Sequence, residues 1–252
     1  METTNDKAIA AAQAAGLLPA VQMKEQILAL FDPNREGFEG GVDITQLTIP
    51  RAKLLQGLSP EVQAEPRLYY AGMLINSITK ETLAPSFIPL RTWKSWVRFN
   101  PRSKEAAGFD PNVPAGDVIW QSLDHSDPRV KSEAAWGPNN EPPLATEFIN
   151  FLCYFEGFTI PLVLSFSKTS YKAGKDFFTM AFGYGGAMYS RKYTLTAKQD
   201  TNEKGTFYVL GVKGAGKCSE DELAIGKTLY EAFAKPAALK VHEEDREAGS
   251  EG

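Results

Sequence analysis

The sequence predicts a β-rich α+β protein, and three observations lead to this fold class. Runs rich in β-branched and aromatic residues follow one another with short polar breaks between them. One segment with helical apolar spacing separates the third strand from the fourth. Neither an internal repeat nor an alternating βαβ pattern occurs, which disfavours a doubly wound sheet. This order of elements is that of an OB-fold-like antiparallel barrel, a fold whose open face binds oligonucleotides.

The composition is that of an ordinary globular protein of 252 residues, 43% of them hydrophobic and 23% charged. Apolar runs stay below the roughly 18 residues of a membrane span, and the first residues lack the basic and apolar regions of a signal peptide. We therefore expect a cytoplasmic protein. Cys153 and Cys218 have neither zinc-ligand spacing nor a secretory context, so they predict no metal site and no disulfide framework.

The chain divides into three regions. Residues 1–42 are predicted to be a helical or flexible arm, because an alanine-rich segment and a helix from Pro19 precede a glycine-rich loop. Residues 43–236 form the OB-like domain, and residues 237–252 form a disordered acidic tail. The last twelve residues hold five acids against one arginine, a charge of −4 that equals the net charge of the whole chain. This tail either competes for a basic groove, docks partner proteins, or only solubilises the chain end.

The first half of the domain contains two predicted strands, at residues 67–76 and 82–99, joined by a hairpin connection at 77–81. Residues 100–145 then form a long loop, since repeated prolines deny them extended regular structure. A loop of that length in a compact domain is functional or disordered. Its Trp120 and Trp136 indicate that parts of it pack.

The second half resumes with β-rich runs at 147–155 and 159–166 and a helix with Tyr171, Gly174, Phe178 and Ala181 inward. A second hairpin joins residues 188–198 to 206–212. A capping box at Ser219–Glu222 then begins a C-terminal helix. Its predicted inward residues are Leu223, Gly226, Tyr230 and Phe233.

A strip of cations and aromatic rings runs from Pro89 to Lys104 without an acidic residue. If it is a strand, Trp93, Val97 and Phe99 lie on one face and Lys94, Trp96 and Arg98 on the other. We expect the first face to be core and the second to resemble a groove for single-stranded nucleic acid. The alternative is a half-buried strand whose cations are solvated.

Two further strips carry the same composition, one on the helix after Ser167 and one on the fourth strand. Lysines at i, i+4 and i+7 of that helix repel each other unless an anion lies across them. The predicted nucleic-acid-binding residues, with Trp96 and Tyr193 as stacking rings, are Arg91, Lys94, Trp96, Arg98, Arg102, Lys168, Tyr171, Lys172, Lys175, Arg191, Lys192 and Tyr193.

No catalytic set can be assembled from the sequence. Gly211–Cys218 nearly matches a phosphate loop, but a cysteine replaces the magnesium-binding hydroxyl and three acids begin the following helix. The histidines, His125 and His242, lie in the long loop and the tail. The carboxylates lack metal-ligand spacing. We therefore predict a binding protein with no cofactor and no metal rather than an enzyme.

Several motifs resemble a family of phage and prophage single-stranded-DNA-binding proteins. They are Ile49–Gln56 with Ser59–Val62, Gly72-x-Leu-x-Asn-Ser-x-Thr-x-Glu81 leading into Phe87–Leu90, and the helix start at Thr169–Gly174. The resemblance implies an OB-fold body with an acidic tail that coats DNA during replication or recombination. It also implies that the tail contacts polymerase or recombinase, although the terminal aromatic of several such proteins is missing here.

The hypothesis from the sequence is therefore a non-enzymatic, sequence-nonspecific binder of single-stranded DNA in the cytoplasm of a phage host. Expected partners are single-stranded DNA and, through the tail, replication or recombination proteins, with self-association left open and no membrane involved. Two alternatives remain: a virion or scaffold assembly protein, and an accessory factor of a recombinase or nuclease.

Overall fold

A computed structural model describes residues 20–30, 32, 34–38, 47–203 and 205–233 of the chain. Antiparallel strands dominate it, and 3-10 turns at Lys168–Ser170 and Met188–Ser190 precede two of the elements. The β-rich α+β class is therefore confirmed, whereas the predicted tail and much of the predicted arm lie outside the described residues. In chain order the elements are α1 (Ala20–Leu30), β1 (Ala52–Leu54), α2 (Pro60–Ala64), β2 (Leu74–Asn76), β3 (Ser86–Phe99), β4 (Val118–Ser122), α3 (Pro128–Glu133), β5 (Thr146–Phe155), β6 (Leu162–Phe166), α4 (Tyr171–Gly183), β7 (Arg191–Asn202), β8 (Gly205–Lys217) and α5 (Glu220–Ala232).

One antiparallel sheet organises the fold. Its path is β6-β5-β3-β7-β8, and β4 pairs with the far end of β3. The 14-residue β3 is long enough for three neighbours, because β7 pairs only with its start and β4 only with its end. The order β7-β3-β5-β6 is that of a Greek key. In the described part of the chain no pairing joins β6 to β8 and the barrel is not closed, so the predicted OB-fold-like barrel is not confirmed.

A short segment before α2 contacts both edge strands of the sheet, β6 and β8. The backbone N–H of Val163 in β6 donates to the carbonyl of Pro50 at 2.8 Å. Six residues later the Gln56 side chain pairs with the backbone of Tyr208 in β8, donating to its carbonyl at 3.0 Å and accepting from its N–H at 2.8 Å. A side-chain amide thus replaces a neighbouring strand and satisfies backbone groups of an edge.

An ion-pair unit stabilises the separate two-stranded sheet of β1 and β2. Asn76 closes the predicted turn at 77–81 by accepting from two backbone N–H groups. Glu61 in α2 accepts from Lys53 Nζ at 2.9 Å and from Lys80 Nζ at 3.1 Å. Burial acts to raise the pKa of this carboxyl, but hydrogen bonds from both ammonium groups and the backbone outweigh it and lower the pKa to about 2. The first two motifs that carried the resemblance therefore have structural roles.

Apolar side chains cover both faces of the sheet. On one face the core includes Phe177 of α4, whose ring centroid lies 4.3 Å from that of Phe151 in β5. On the other face the core is built from Ile88, Leu90, Leu152 and Tyr154 of the sheet against Ile27 of α1 and Ile225, Leu229 and Phe233 of α5. Because both faces are covered, β5 is apolar along most of its length rather than alternating.

Both longer helices after β6 bury most of the predicted inward residues, including Gly174 of α4 and Gly226 of α5, and each has one exception. In α4 the buried phenylalanine is Phe177, which is fully buried, whereas the predicted Phe178 is 44% exposed. In α5 Ile225 and Leu229 are buried, whereas Leu223 is exposed. Adjacent apolar residues, such as the two phenylalanines, fit two helical templates equally well, and only the facing sheet selects one.

Residues 100–145 are more ordered than the proline content predicts. They contain β4 and α3, and their Trp120 packs into a third apolar cluster with Trp96, Val130 and Ala145. The Asn100 side chain organises the start of the segment by donating to the carbonyls of Asp110 and Val113. Trp136 is 64% exposed, so of the two tryptophans only Trp120 packs.

Candidate nucleic-acid interface

The predicted strip on β3 has the expected alternation, but both of its faces are largely covered: Val97 of the predicted core face is fully buried, and most of the predicted binding face is covered apart from Lys94. Lys94 and Trp96 share a face, as their register with Ile149 and Glu147 shows. Trp96 is nevertheless only 4% exposed, because the segment after β3 folds over that face and brings the His125 ring to 5.5 Å from it. The prediction of Trp96 as a stacking surface is therefore wrong. Trp93, the predicted core ring, is only partly buried.

The arginines of this strip contact the protein itself. The Arg91 guanidinium lies 3.9 Å from the centre of the Tyr230 ring and donates to the Tyr230 carbonyl at 3.0 Å. Arg98 pairs with Glu133 at 2.7 Å and donates to the carbonyl of Gly108 at 2.8 Å. These contacts anchor α5 and the long segment to the sheet. Arg102 is exposed beyond the end of β3.

Lys94 also has a protein partner, although its side chain is half exposed. It pairs with Glu147, and this hydrogen bond raises the pKa of Lys94. Tyr171, at the start of α4, interacts with the same two groups and is partly buried, and burial raises its pKa. Glu147 therefore connects three of the predicted contact residues. It interacts with Lys94 and Tyr171, and it is the register partner of Trp96.

The predicted residues on β7 divide between core and surface. Tyr193 is 1% exposed and packs on Phe177 at 4.9 Å between ring centroids, so its prediction as a stacking ring is wrong. Lys192 pairs with Glu222 of α5 at 2.8 Å. Arg191 lies over the Tyr184 ring, 3.9 Å from its centre. Of the three, Arg191 is the one adjacent to an exposed aromatic surface.

The lysines before and within α4 lie on the surface. Lys168 occupies the 3-10 turn at a positive φ of 44°, and Lys172 and Lys175 are exposed on the helix. In the described residues no carboxylate lies within ion-pair distance of Lys172 or Lys175. Lys175 is three residues before Phe178 and therefore on the same helical face.

Three exposed aromatic rings at the end of α4, Phe178, Phe182 and Tyr184, form what we call the aromatic cluster. They are 44%, 79% and 47% exposed. Phe178 and Phe182 are one helical turn apart, with nearly parallel rings whose centroids are 6.4 Å apart. Single exposed apolar residues need no explanation, but neighbouring exposed rings indicate a binding surface. The sequence reasoning missed these rings, although consecutive phenylalanines at 177 and 178 imply that one faces outward.

Cations on the adjacent sheet lie next to the aromatic cluster. Tyr184 approaches β8 so closely that a Cβ added at Gly214 would be 3.2 Å from its hydroxyl. Arg191, which stacks on Tyr184, is directly opposite Lys217 in the β7–β8 register. Like charges directly opposite each other in a sheet are destabilising unless an anion neutralises them. Among the described residues neither cation has a carboxylate within ion-pair distance.

The glycine-rich stretch that resembles a phosphate loop belongs to a strand. Residues 211–217 lie within β8, paired with β7, and therefore do not form a loop around a phosphate. Within the described ranges no group of three or more His, Cys, Asp and Glu side chains could hold a metal ion. None of the helices there is long and apolar enough to cross a membrane.

Comparisons with known proteins gave one match. Residues 22–238 match the family model described as Pam3 phage gp34-like protein. That range contains every element from β1 to α5 and most of α1. The search of curated proteins and the search of solved structures each found no match.

Proposed function

The chain belongs to the Pam3 phage gp34-like family, and from this premise we propose that it binds single-stranded nucleic acid without sequence preference. The observation that carries the proposal is the aromatic cluster with its neighbouring cations. Its three rings are exposed. Lys175 lies one helical turn before Phe178, Arg191 lies over the Tyr184 ring, and Lys217 is the register partner of Arg191. This surface replaces the β3 strip as the main candidate interface.

Rings and cations together suit a single strand better than a duplex. Unpaired bases stack on exposed rings whatever their identity, at roughly 1–3 kcal/mol per base, while the paired bases of a duplex leave no such face. Lysine and arginine side chains neutralise the phosphates between stacked bases. The cations are placed accordingly, with Lys175 on the helical side of the rings and the pair of Arg191 and Lys217 on the sheet side.

The topology supports an OB-like barrel as the scaffold for this function. Strands β3, β5 and β6 are followed by α4 and then by the β7–β8 hairpin, which places one helix between the third and fourth strands of the main path. OB-folds are partly open Greek-key barrels. Here the segment of Pro50 to Gln56 contacts both open edges. We propose that this segment closes the barrel in place of a direct β6–β8 pairing.

The biological role that follows is non-enzymatic coating of single strands during phage replication or recombination, in the cytoplasm of the host. The resemblance of the motifs to phage single-stranded-DNA-binding proteins supports this role. The acidic tail is then the site for replication or recombination partners. Exposed rings would also suit a protein-protein contact, so virion assembly is the main competing outcome of the test below.

Fluorescence anisotropy of labelled oligo-dT tests the proposal. We expect binding to the single strand, weaker binding to the duplex, and an affinity that falls with salt. Replacing Lys175, Arg191 and Lys217 together with glutamine removes up to three phosphate contacts and should reduce the slope of log K against log salt by roughly 2. Lys227→Gln, an exposed lysine of α5 beside Glu231, is the matched control and should leave the slope unchanged.

Two results would reject the proposal. One is the absence of oligo-dT binding at low salt, and the other is an affinity that neither salt nor the triple substitution changes. Large defined assemblies without nucleic acid, measured by light scattering, would then favour the virion alternative.

A further inference from the structure

A cleft beneath the long segment after β3 has no role in the function proposed above. Its volume is about 330 Å³, and it lies between the end of β3, β4 and α3. Phe109, Trp120 and Ile119 provide apolar walls, while Arg98, Arg129 and Glu133 provide polar ones. Its volume is at the small end of the range for ligand pockets in proteins, about 300–1,000 Å³, which suits a single small molecule or one monomer of a polymer.

The polar walls of the cleft are held in place by contacts with one another. Glu133 Oε2 accepts from Trp120 Nε1 at 2.9 Å and pairs with Arg98 at 2.7 Å. Arg98 in turn donates to the carbonyl of Gly108, where the backbone approaches so closely that a Cβ would be 2.7 Å from the guanidinium. Gly108 also has a φ of +80°, which side chains rarely adopt. The cleft is therefore a preorganised feature rather than a gap between loose loops.

The chemistry of the walls indicates a neutral, planar ligand. Of the two arginines in the lining, Arg98 is paired with Glu133 at 2.7 Å and Arg129 with Asp127 at 2.8 Å, so the cleft does not favour a free anion or a free cation. Arg129 lies over the Trp120 ring, 5.2 Å from its centre, and adds a second flat surface. Both arginines have guanidinium N–H groups outside these pairs, and Glu133 has a second carboxylate oxygen. The walls can therefore donate to and accept from the mixed hydrogen-bonding edge of a heterocycle.

We infer that this cleft binds one nucleobase. The base belongs either to a bound single strand, in which case the inference extends the proposed function, or to a free nucleoside or nucleotide. The aromatic cluster would then hold stacked bases on the surface, while the cleft holds one base against its Phe109 and Arg129 walls. The site is separate from the aromatic cluster in sequence and in its residues, so the two can be tested independently.

Isothermal titration calorimetry of the full chain with adenosine, guanosine, cytidine and thymidine, and with their 5′-monophosphates, tests the inference. We expect at least one base to bind with a dissociation constant on the order of 0.1 mM. This value corresponds to the usual binding free energy per non-hydrogen atom for a ligand of that size. Pro111→Trp places a large side chain at the exposed rim of the cleft and should weaken binding at least about tenfold. Asn112→Trp changes the adjacent exposed residue, which does not line the cleft, and should stay within about twofold of wild type.

The outcomes are distinct. If the wild-type chain binds none of these compounds, or if Pro111→Trp binds them as tightly as wild type, the inference is rejected. If Pro111→Trp also weakens oligo-dT binding at least threefold, the base comes from a strand; if oligo-dT binding is unchanged, the ligand is a free nucleoside or nucleotide. Nucleoside binding by a chain that fails to bind oligo-dT would keep the cleft and reject the proposed function, and the reverse result would reject only the cleft.

Discussion

Truncation of Phe178 and Phe182 to alanine should remove nucleic-acid binding without unfolding the protein. Both rings are exposed, Phe182 to 79%, so their loss should change the free energy of unfolding by less than about 0.5 kcal/mol. If each ring stacks on one base, each truncation costs roughly 1–3 kcal/mol of binding free energy, or about 5- to 150-fold in affinity. The double variant should therefore lose at least about 25-fold, provided that the two losses are additive.

Phe177→Ala is the matched control for this prediction because it truncates the adjacent residue of the same helix. The Phe177 ring is fully buried, with the rings of Phe151 and Tyr193 at centroid distances of 4.3 and 4.9 Å. Removing a buried phenylalanine typically costs about 3–5 kcal/mol of stability. Phe177→Ala should thus lower the urea midpoint strongly, while truncation of Phe178 and Phe182 should leave it unchanged.

The two measurements are oligo-dT anisotropy at fixed salt and urea unfolding followed by circular dichroism. If the double variant of Phe178 and Phe182 binds oligo-dT as tightly as wild type, the assignment of the aromatic cluster to the interface is refuted. A double variant as unstable as Phe177→Ala would show that the helix face has been assigned incorrectly.

Three further predictions concern stability. Trp96→Ala should destabilise the protein by roughly 3–5 kcal/mol in urea unfolding, because its ring is buried; a loss below 1 kcal/mol would contradict that burial. Gln56→Ala should cost about 1–3 kcal/mol, since the N–H and carbonyl of Tyr208 lose their partner, and an unchanged urea midpoint would mean that water replaces it. The carboxyl of Glu61 has a folded pKa near 2, below its unfolded value of 4.5, so its contribution is complete above pH 4.5 and is lost as the pH falls toward 2. Glu61→Gln should therefore remove roughly 2 kcal/mol of stability at pH 7, allowing for solvent around its partners, and the difference from wild type should shrink between pH 4.5 and pH 2.

Local patterns in the sequence predicted much of the fold correctly. The period of two on β3, the turn at 77–81 and the capping box at Ser219 each depend on neighbouring residues, and each occurs in the structure, the last with both of its hydrogen bonds. The β-rich α+β class follows from the same kind of information. These features were predictable because their energies arise within a few residues of chain.

The candidate interface required contacts between distant parts of the chain. The alternation on β3 specifies which side chains share a face, but residues 118–145 cover the face of Trp96 and thereby bury it. Arg91 and Arg98 appear as free cations in the sequence, yet their partners are Tyr230 and Glu133, 139 and 35 residues away.

By itself, then, the sequence determined the long strands and helices, their order and the residues that share a face, but not the short elements β1, α2, β4 and α3. The tertiary structure alone decided which faces are buried, which cations are paired, and that exposed rings lie at the end of α4 with Tyr184 against β7 and β8. The physical reason is that periodicity is a property of one element, whereas burial depends on what the rest of the chain places over it. The strip from Pro89 to Lys104 therefore became mainly a structural strand, and the exposed phenylalanines of α4 became the candidate surface.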